Sequence, residues 1–390
     1  MDNVVNKRKQ SIGEMLYLTA LVFGISGSLL LGTMFSWAPH ATYLIRVGII
    51  LCIAKSVFID RYTAKQFWAY IICLGTAILS YDSVRHDMLL VIPFIFAAKG
   101  VDFKKIMRTY FIVVSVLFFT VNLMAIRGKL PNLVFFRGGK PRISYGFTYP
   151  TLEAAHIFYF ILVYMVYKKF KLNWIEDIIV AFSGCFIISK GDARLDGYLT
   201  FIILFISIFR KPLFKLLSKL NNFIPVILVV VLIVGYLILA KNYNSMSPAE
   251  FQLNNILSNR LALTQEGLMR YPIKLLGSHV QMQGFGGYAG LAMTQISWMA
   301  RNYFYIDGFF AQTLLINGLI MFIIALLAFS YIIWKSMRNK NYSLVVAIVI
   351  LVAAGLIEVF TIQISYDILA VMFLSNMDSW LKEGNETQNE

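Results

Sequence analysis

Charge, histidine and cysteine are all scarce in this chain. Only 14% of its 390 residues are charged while 59% are hydrophobic, and the mean hydropathy is +0.71. A soluble domain could not cover that composition with solvated surface, so a soluble enzyme or binding module is excluded. Cys52, Cys73 and Cys185 each lie in an apolar run, where a thiol acts as a small hydrophobe; a disulfide scaffold is excluded too. The few histidines and cysteines form no ligand-spaced cluster, so no metal and no other cofactor is expected. A formal net charge of +15 is spread over many short connections with no nucleic-acid motif, which leaves out a nucleic-acid partner.

What the chain does have is long apolar runs. Phe223 to Ala240 is long enough to cross a hydrocarbon core of about 30 Å. Met15 to Trp37 is too long for a signal-peptide core and no small-residue cleavage site follows it, so it reads as the first span. The expected fold is an all-α polytopic integral membrane protein, one transmembrane helical domain over 1-390. The spans, about 12, are 15-37, 41-59, 64-81, 86-99, 109-127, 151-167, 174-189, 197-209, 223-240, 305-333, 342-362 and 366-381. With both termini in the cytoplasm, lysine-rich connections fall inside at every step, as the positive-inside rule requires. Trp37, Trp68, Trp174, Trp334 and Trp380 fall at span ends, where an amphipathic ring suits the headgroup level.

The same topology places Arg85, Arg127, Arg137, Arg142, Arg194, Arg260, Arg270 and Arg301 outside. Inner connections carry about 5 Arg to 15 Lys and outer ones about 8 Arg to 5 Lys. An insertion signal needs only positive charge, whereas bidentate recognition of phosphate favours the planar guanidinium. The outer arginines therefore point to a phosphate-bearing ligand. The competing reading pairs them with headgroups or with the outer acids Asp82, Asp87, Asp192, Asp196, Glu266 and Asp307.

Three constellations stand out. In the first, Arg137 and Arg142 precede a helix that carries Glu153 and His156 on one face. The second is the tight connection Gly191-Asp-Ala-Arg-Leu-Asp196. The third is the polar extracytoplasmic insert 241-302 between spans 9 and 10, with Arg260, Arg270, His279 and a glycine cluster at Gly284, Gly286, Gly287 and Gly290. Apolar Phe251, Ile256, Leu261 and Leu268 suggest short amphipathic helices lying flat on the membrane surface. The glycines lack nucleotide-loop spacing and read as a flexible turn. Glu358 and Arg46, each inside an apolar span, are candidates either for function or for pairing with one another.

These residues carry a resemblance. The chain resembles the bacterial O-antigen polymerase and ligase superfamily, most closely the Wzy-type polymerases of capsular or exopolysaccharide assembly. Arg142-Ile-Ser-Tyr-Gly-Phe-Thr-Tyr-Pro150 is similar to the family's Arg-Ser-x-Gly-Phe-x-x-Pro stretch. Asp192-Ala-Arg194 falls where the family has Ser-Arg, and Asn259-Arg260 where an arginine opens the large outer loop. Tyr305-Ile-Asp-Gly-Phe-Phe310 is similar to the family's Asp-Asn-x-Tyr-Leu motif, with Gly308 in place of asparagine. The histidine common in the ligase branch is missing before it, which favours a polymerase.

The resemblance implies a metal-independent glycosyltransferase in the bacterial plasma membrane. Its substrate would be oligosaccharide linked to undecaprenyl pyrophosphate, with membrane lipid around it and a chain-length regulator and a flippase as associated proteins. Expelling pyrophosphate without a divalent cation needs fixed cations, for which Arg137, Arg142, Arg194, Arg260 and Arg270 are the candidates. The acceptor hydroxyl needs a proton acceptor, for which Asp307, Glu153, Glu266 and His279 are available, with Arg260 beside the reacting bond. Metal-dependent dolichol-type transferases carry an acidic pair in the first outer loop; here it is Ala38-Pro-His40. An O-antigen ligase-like transferase is one alternative. A lipid-linked oligosaccharide flippase is another, but it needs no long outer insert and would place its arginines within spans. The topology is open to test in intact cells: cysteine introduced at Asn244 or Ser278 should react with an impermeant thiol reagent and one at Asn341 should not, and the reverse pattern would invert the molecule.

Overall fold

The computed structural model describes residues 2–80, 87–294 and 303–385; Asp82, Arg85 and Arg301 lie outside them. The first part of the chain forms α1 (Asp2–Leu31), α2 (Thr42–Phe58), α3 (Ala64–Leu79), α4 (Asp87–Ala97) and α5 (Phe103–Ile126). A hairpin of β1 (Val134–Arg137) and β2 (Lys140–Ile143) leads into α6 (Pro150–Tyr167), α7 (Trp174–Phe186), α8 (Arg194–Ile208), α9 (Arg210–Leu217) and α10 (Ile224–Lys241). The insert contains α11 (Pro248–Ile256), α12 (Arg260–Arg270) and α13 (Gly287–Thr294). The chain closes with α14 (Phe309–Gln312), α15 (Gly318–Arg338), α16 (Tyr342–Gly355) and α17 (Asp378–Asn385).

Local chemistry sets many of these boundaries. Thr63 with Gln66, and Asn173 with Glu176, form reciprocal capping boxes that start α3 and α7. Asp102 caps α5 by accepting from the Lys104 and Lys105 amides, and Pro150 opens α6 at a position where no amide donor is needed. The burial pattern is that of a membrane-embedded bundle. Central α6 buries most of its residues, whereas α5 and α10 turn Ile112, Val116, Phe119, Ile227 and Val231 outward. So wide an apolar exterior suits lipid rather than water.

Six helical stretches among the described residues are long and apolar enough to cross a membrane: Lys9–Leu31, Ala38–Phe58, Phe103–Ile126, Pro150–Tyr167, Ile224–Lys241 and Phe309–Arg338. The expected count of twelve is therefore too high. Three further apolar helices, α3, α4 and α16, are shorter. Span 174-189 is a 13-residue helix running into a π turn, Ile187–Gly191, and α8 has only 15 residues. Spans 342-362 and 366-381 differ most. The helix stops at Gly355, and residues 356–376 run through the interior as irregular backbone with 3-10 turns at Phe360–Ile362 and Leu369–Phe373. Such backbone is tolerated at membrane depth only when packed in protein, and Thr361, Ser365, Ile368 and Leu369 are fully buried. Asp367 starts the second turn by accepting from the Leu369 amide at 2.9 Å.

Contacts between connections fall into two groups. One joins Lys99 to Arg61, Asp102 to Ser379, Lys105 to Glu14 and Lys169 to Trp380. The other joins Arg137 to Asp192, Arg142 to Gly191, Gly287 to Thr148 and Arg260 to Asp307. The insert belongs to the second group, and one face of α12 packs inward. Its Leu261, Thr264 and Gly267 are buried, with Thr264 Oγ1 at 3.2 Å from the Tyr236 hydroxyl of α10.

A backbone lock fixes the far side of the insert. Residues 274–278 pair with 315–320 through Ser278 N to Leu315 O (2.9 Å) and Leu319 N to Lys274 O (2.9 Å). The two segments approach so closely that a Cβ on Gly277 (φ +86°) would sit 1.9 Å from Ile316 O, and one on Gly318 (φ +93°) 2.4 Å from Leu275 O. Neither position accepts a side chain. Gly277→Ala should destabilise the purified protein by on the order of 3 kcal/mol, read as a large fall in thermal unfolding midpoint; an unchanged midpoint would refute the lock.

Candidate functional site

Arg260 opens α12 because the two residues before it, Ser258 and Asn259, both take left-handed conformations (φ +52° and +68°) and reverse the chain sharply after α11. Asn254 holds the reversal, donating to Asn259 Oδ1 at 3.0 Å and accepting from the Ala262 amide at 3.1 Å. The guanidinium then reaches inward. Its Nε donates to Ile357 O (3.3 Å) and Nη1 to Ser258 O (3.2 Å), while Nη1 lies 3.1 Å from Asp307 Oδ2 and Nη2 3.7 Å from Glu358 Oε1. The approach to Asp307 is an ion pair without an aligned hydrogen bond. Burial alone would lower the Arg260 pKa, but Asp307 and Glu358 outweigh it and raise the pKa above the usual arginine value.

Each carboxylate is placed by backbone. Asp307 precedes Gly308, where a Cβ would stand 2.4 Å from Leu356 O, so only glycine lets this stretch pass over the end of α16. Glu358 follows that end, and its own carbonyl accepts the Phe309 amide at 3.0 Å. The turn carrying one acid is therefore tied to the turn carrying the other.

This centre opens into a cavity of about 460 Å³. Arg137, Tyr149, Arg260, Tyr303, Asp307 and Glu358 supply its charged and phenolic wall. From α1, α2 and α4 come Leu31, Ile45, Leu90 and Val91, an apolar wall interrupted by Ser28 and Asp87. Gln363 and Tyr366 of the irregular segment line it too, and Gln363 Nε2 donates to Asp87 Oδ2 at 3.2 Å. Burial, with Asp307 adding to it, pushes the Tyr303 phenol above its ordinary pKa, so it stays protonated. Gly284 and Gly286 also line the cavity, and Gly287 (φ +69°) makes the turn into α13.

The other residues singled out in the sequence lie elsewhere. Arg142 is buried behind the hairpin and does not line the cavity: Nε donates to Gly191 O (2.8 Å) and Nη1 to the Tyr149 hydroxyl (3.1 Å). Arg194 sits over Asp192 at 2.9 Å, at a side recess of about 20 Å³ shared with Asp196 and Arg260. Arg270 pairs with Glu266 and lies 4.8 Å from the Phe304 ring centre, and neither it nor His279 lines the cavity. Glu153 is buried in α6 away from the lining, and His156 packs on Tyr366 with ring centres 3.7 Å apart. Glu358 pairs with Arg260, while Arg46 lies over Tyr43 at 5.4 Å. Sequence reasoning missed Tyr149, Tyr303, Gln363 and Tyr366. The strict alternation in Thr361-Ile-Gln-Ile-Ser-Tyr-Asp367 has a period of two, and that signal marks the segment as non-helical.

Fold and site together define a membrane-embedded helical protein with a buried arginine-carboxylate centre facing one amphipathic cavity. No family model, curated protein or solved structure matches the chain.

Removing Arg260 would leave two carboxylates facing each other in a poorly solvated site. Arg260→Ala should cost about 3–5 kcal/mol of stability, seen as a lower unfolding midpoint in detergent, with Arg260→Lys recovering most of it. Equal midpoints for all three proteins would show the pair to be solvated.

Proposed function

We propose that the protein polymerises polysaccharide repeat units, transferring a growing glycan from undecaprenyl pyrophosphate to a sugar hydroxyl of a second lipid-linked unit at the outer face of the bacterial plasma membrane. The observation that carries this reading is the two-sided cavity: fixed guanidinium and phenolic donors on one wall, apolar α1, α2 and α4 side chains on the other. A ligand with an anionic head and a hydrocarbon tail fits such a cavity. Both termini are cytoplasmic in this reading, and the insert is external.

Arg260 and Arg137 hold the pyrophosphate, and Asp307 takes the acceptor proton. The deprotonated acceptor oxygen attacks the anomeric carbon, and the bond from that carbon to the pyrophosphate oxygen breaks. Undecaprenyl pyrophosphate leaves with the electron pair. In the resting protein Asp307 is held in an ion pair with Arg260. Pyrophosphate competes for the same guanidinium and so releases Asp307, while Glu358 keeps Arg260 in place. Donor binding and activation of the base are then one event.

With purified protein and synthetic lipid-pyrophosphate oligosaccharide, Arg260→Lys should lose on the order of 10²-fold in rate, because the ammonium cannot reproduce the planar fork. Asp307→Asn should lower turnover by on the order of 10²–10⁴ while donor affinity stays within a few-fold. Wild-type polymer ladders from both variants, at normal protein levels, would refute the assignment.

A further inference from the structure

Arg142 is in an unusual position for an arginine that does not touch the cavity. It is 2% exposed, it braces the hairpin against Gly191 O, and its Nη2 has no hydrogen-bond partner among the described residues. Its Nη1 reaches the hydroxyl of Tyr149, whose ring lies 5.2 Å from the guanidinium carbon and is held edge-on by Phe135 at 4.8 Å. Tyr149 itself lines the cavity, at the start of α6.

A guanidinium has donors and no acceptor, so in this pair the phenol oxygen must accept. The phenol's own proton is then left to point elsewhere, and no protein acceptor among the described residues takes it. Arg142 thus does two things at once: it fixes the hydroxyl in position and determines that it faces the cavity as a donor. The cationic neighbour also strengthens that donor by polarising the O–H bond.

Building on the reading of the cavity as a lipid-pyrophosphate site, we infer that Tyr149 donates a hydrogen bond to a phosphoryl oxygen of the bound lipid pyrophosphate and that Arg142 acts through Tyr149 as a positioning residue. The arginine conserves the direction of a hydrogen bond and makes no contact with the ligand. Tyr149 joins Arg137 and Arg260 as a third donor, and it adds no charge to the wall.

The test uses the solubilised full chain and titrates farnesyl pyrophosphate, with inorganic pyrophosphate as a second probe. Tyr149→Phe keeps the ring and its packing and should weaken both probes by on the order of tenfold, the effect of one hydrogen bond to a charged group. Arg142→Lys should weaken them by a similar factor in the wild-type background and by nothing further in the Tyr149→Phe background, since its effect runs through the missing hydroxyl. A purely structural arginine would lose the same factor in both. Unchanged binding by Tyr149→Phe, or equal Arg142→Lys losses in the two backgrounds, overturns this inference while leaving the cavity's reading intact. Wild-type protein that binds neither probe, or binds farnesyl pyrophosphate more weakly than inorganic pyrophosphate, overturns both.

Discussion

Between Asp307 and Glu358, the Arg260 guanidinium draws three separate parts of the chain to one point. Moving a cation and two carboxylates out of water is expensive, and it is tolerated only where mutual attraction and additional hydrogen bonds offset the desolvation. The surroundings meet that condition. Ser258 O and Ile357 O take two of the guanidinium's remaining donors, and the backbone link from Phe309 to Glu358 keeps the acids at a fixed separation. The left-handed Ser258–Asn259 pair, the side-chain-free Gly308 and the break after Gly355 each place one corner of the cluster. A change in any of them moves a charge rather than a contact.

The surrounding arginines divide by what they touch. Arg137 and Arg260 face the cavity, Arg142 binds a carbonyl and a phenol, Arg194 stands on Asp192, and Arg270 stands on Glu266 and Phe304. The fork that suits phosphate also suits carbonyls, carboxylates and rings. An excess of arginine on one side of the chain therefore marks where structure needs many directed donors, and only some of those donors are open to a ligand. Lysine can serve in the same way at the other group of connections: Lys55 is buried and divides its donors between Asp60 and Lys99 O.

Much of the helical part of the fold was legible because apolar length and capping residues act locally. Arg260 and Asp307 stood out for a related reason, as charges in a stretch set apart from the apolar runs. The span count failed where hydropathy alone was read: residues 342–376 are apolar enough for two helices, but Thr361, Gln363, Ser365 and Asp367 alternate in a way that no helix face explains. The hairpin was legible in principle. Gly138-Gly139, with φ of +56° and +77°, is a two-residue turn signal between Val134–Arg137 and Lys140–Ile143. Pro141 and the charges of Arg137, Lys140 and Arg142 mask it, because a proline inside a short run argues against a strand. Glu358 was visible as a charge, but its partner was not, since nothing local relates it to a residue nearly one hundred positions earlier.

The irregular segment also constrains how the molecule is assembled. Ser365 meets Ser28 across 337 residues, Gln363 meets Asp87 across 276, and the Tyr366 carbonyl receives the Tyr110 hydroxyl across 256. Its backbone has too few partners of its own to rest in lipid alone. At a synthesis rate of about 5–20 residues per second, the helices that must receive it have been waiting in the bilayer for many seconds when it emerges. Until then the groove between them has to stay open or be filled by lipid, and the site has its arginines but not Glu358. The cavity therefore gains Glu358, Gln363 and Tyr366 only after every helix from α1 to α16 has been made.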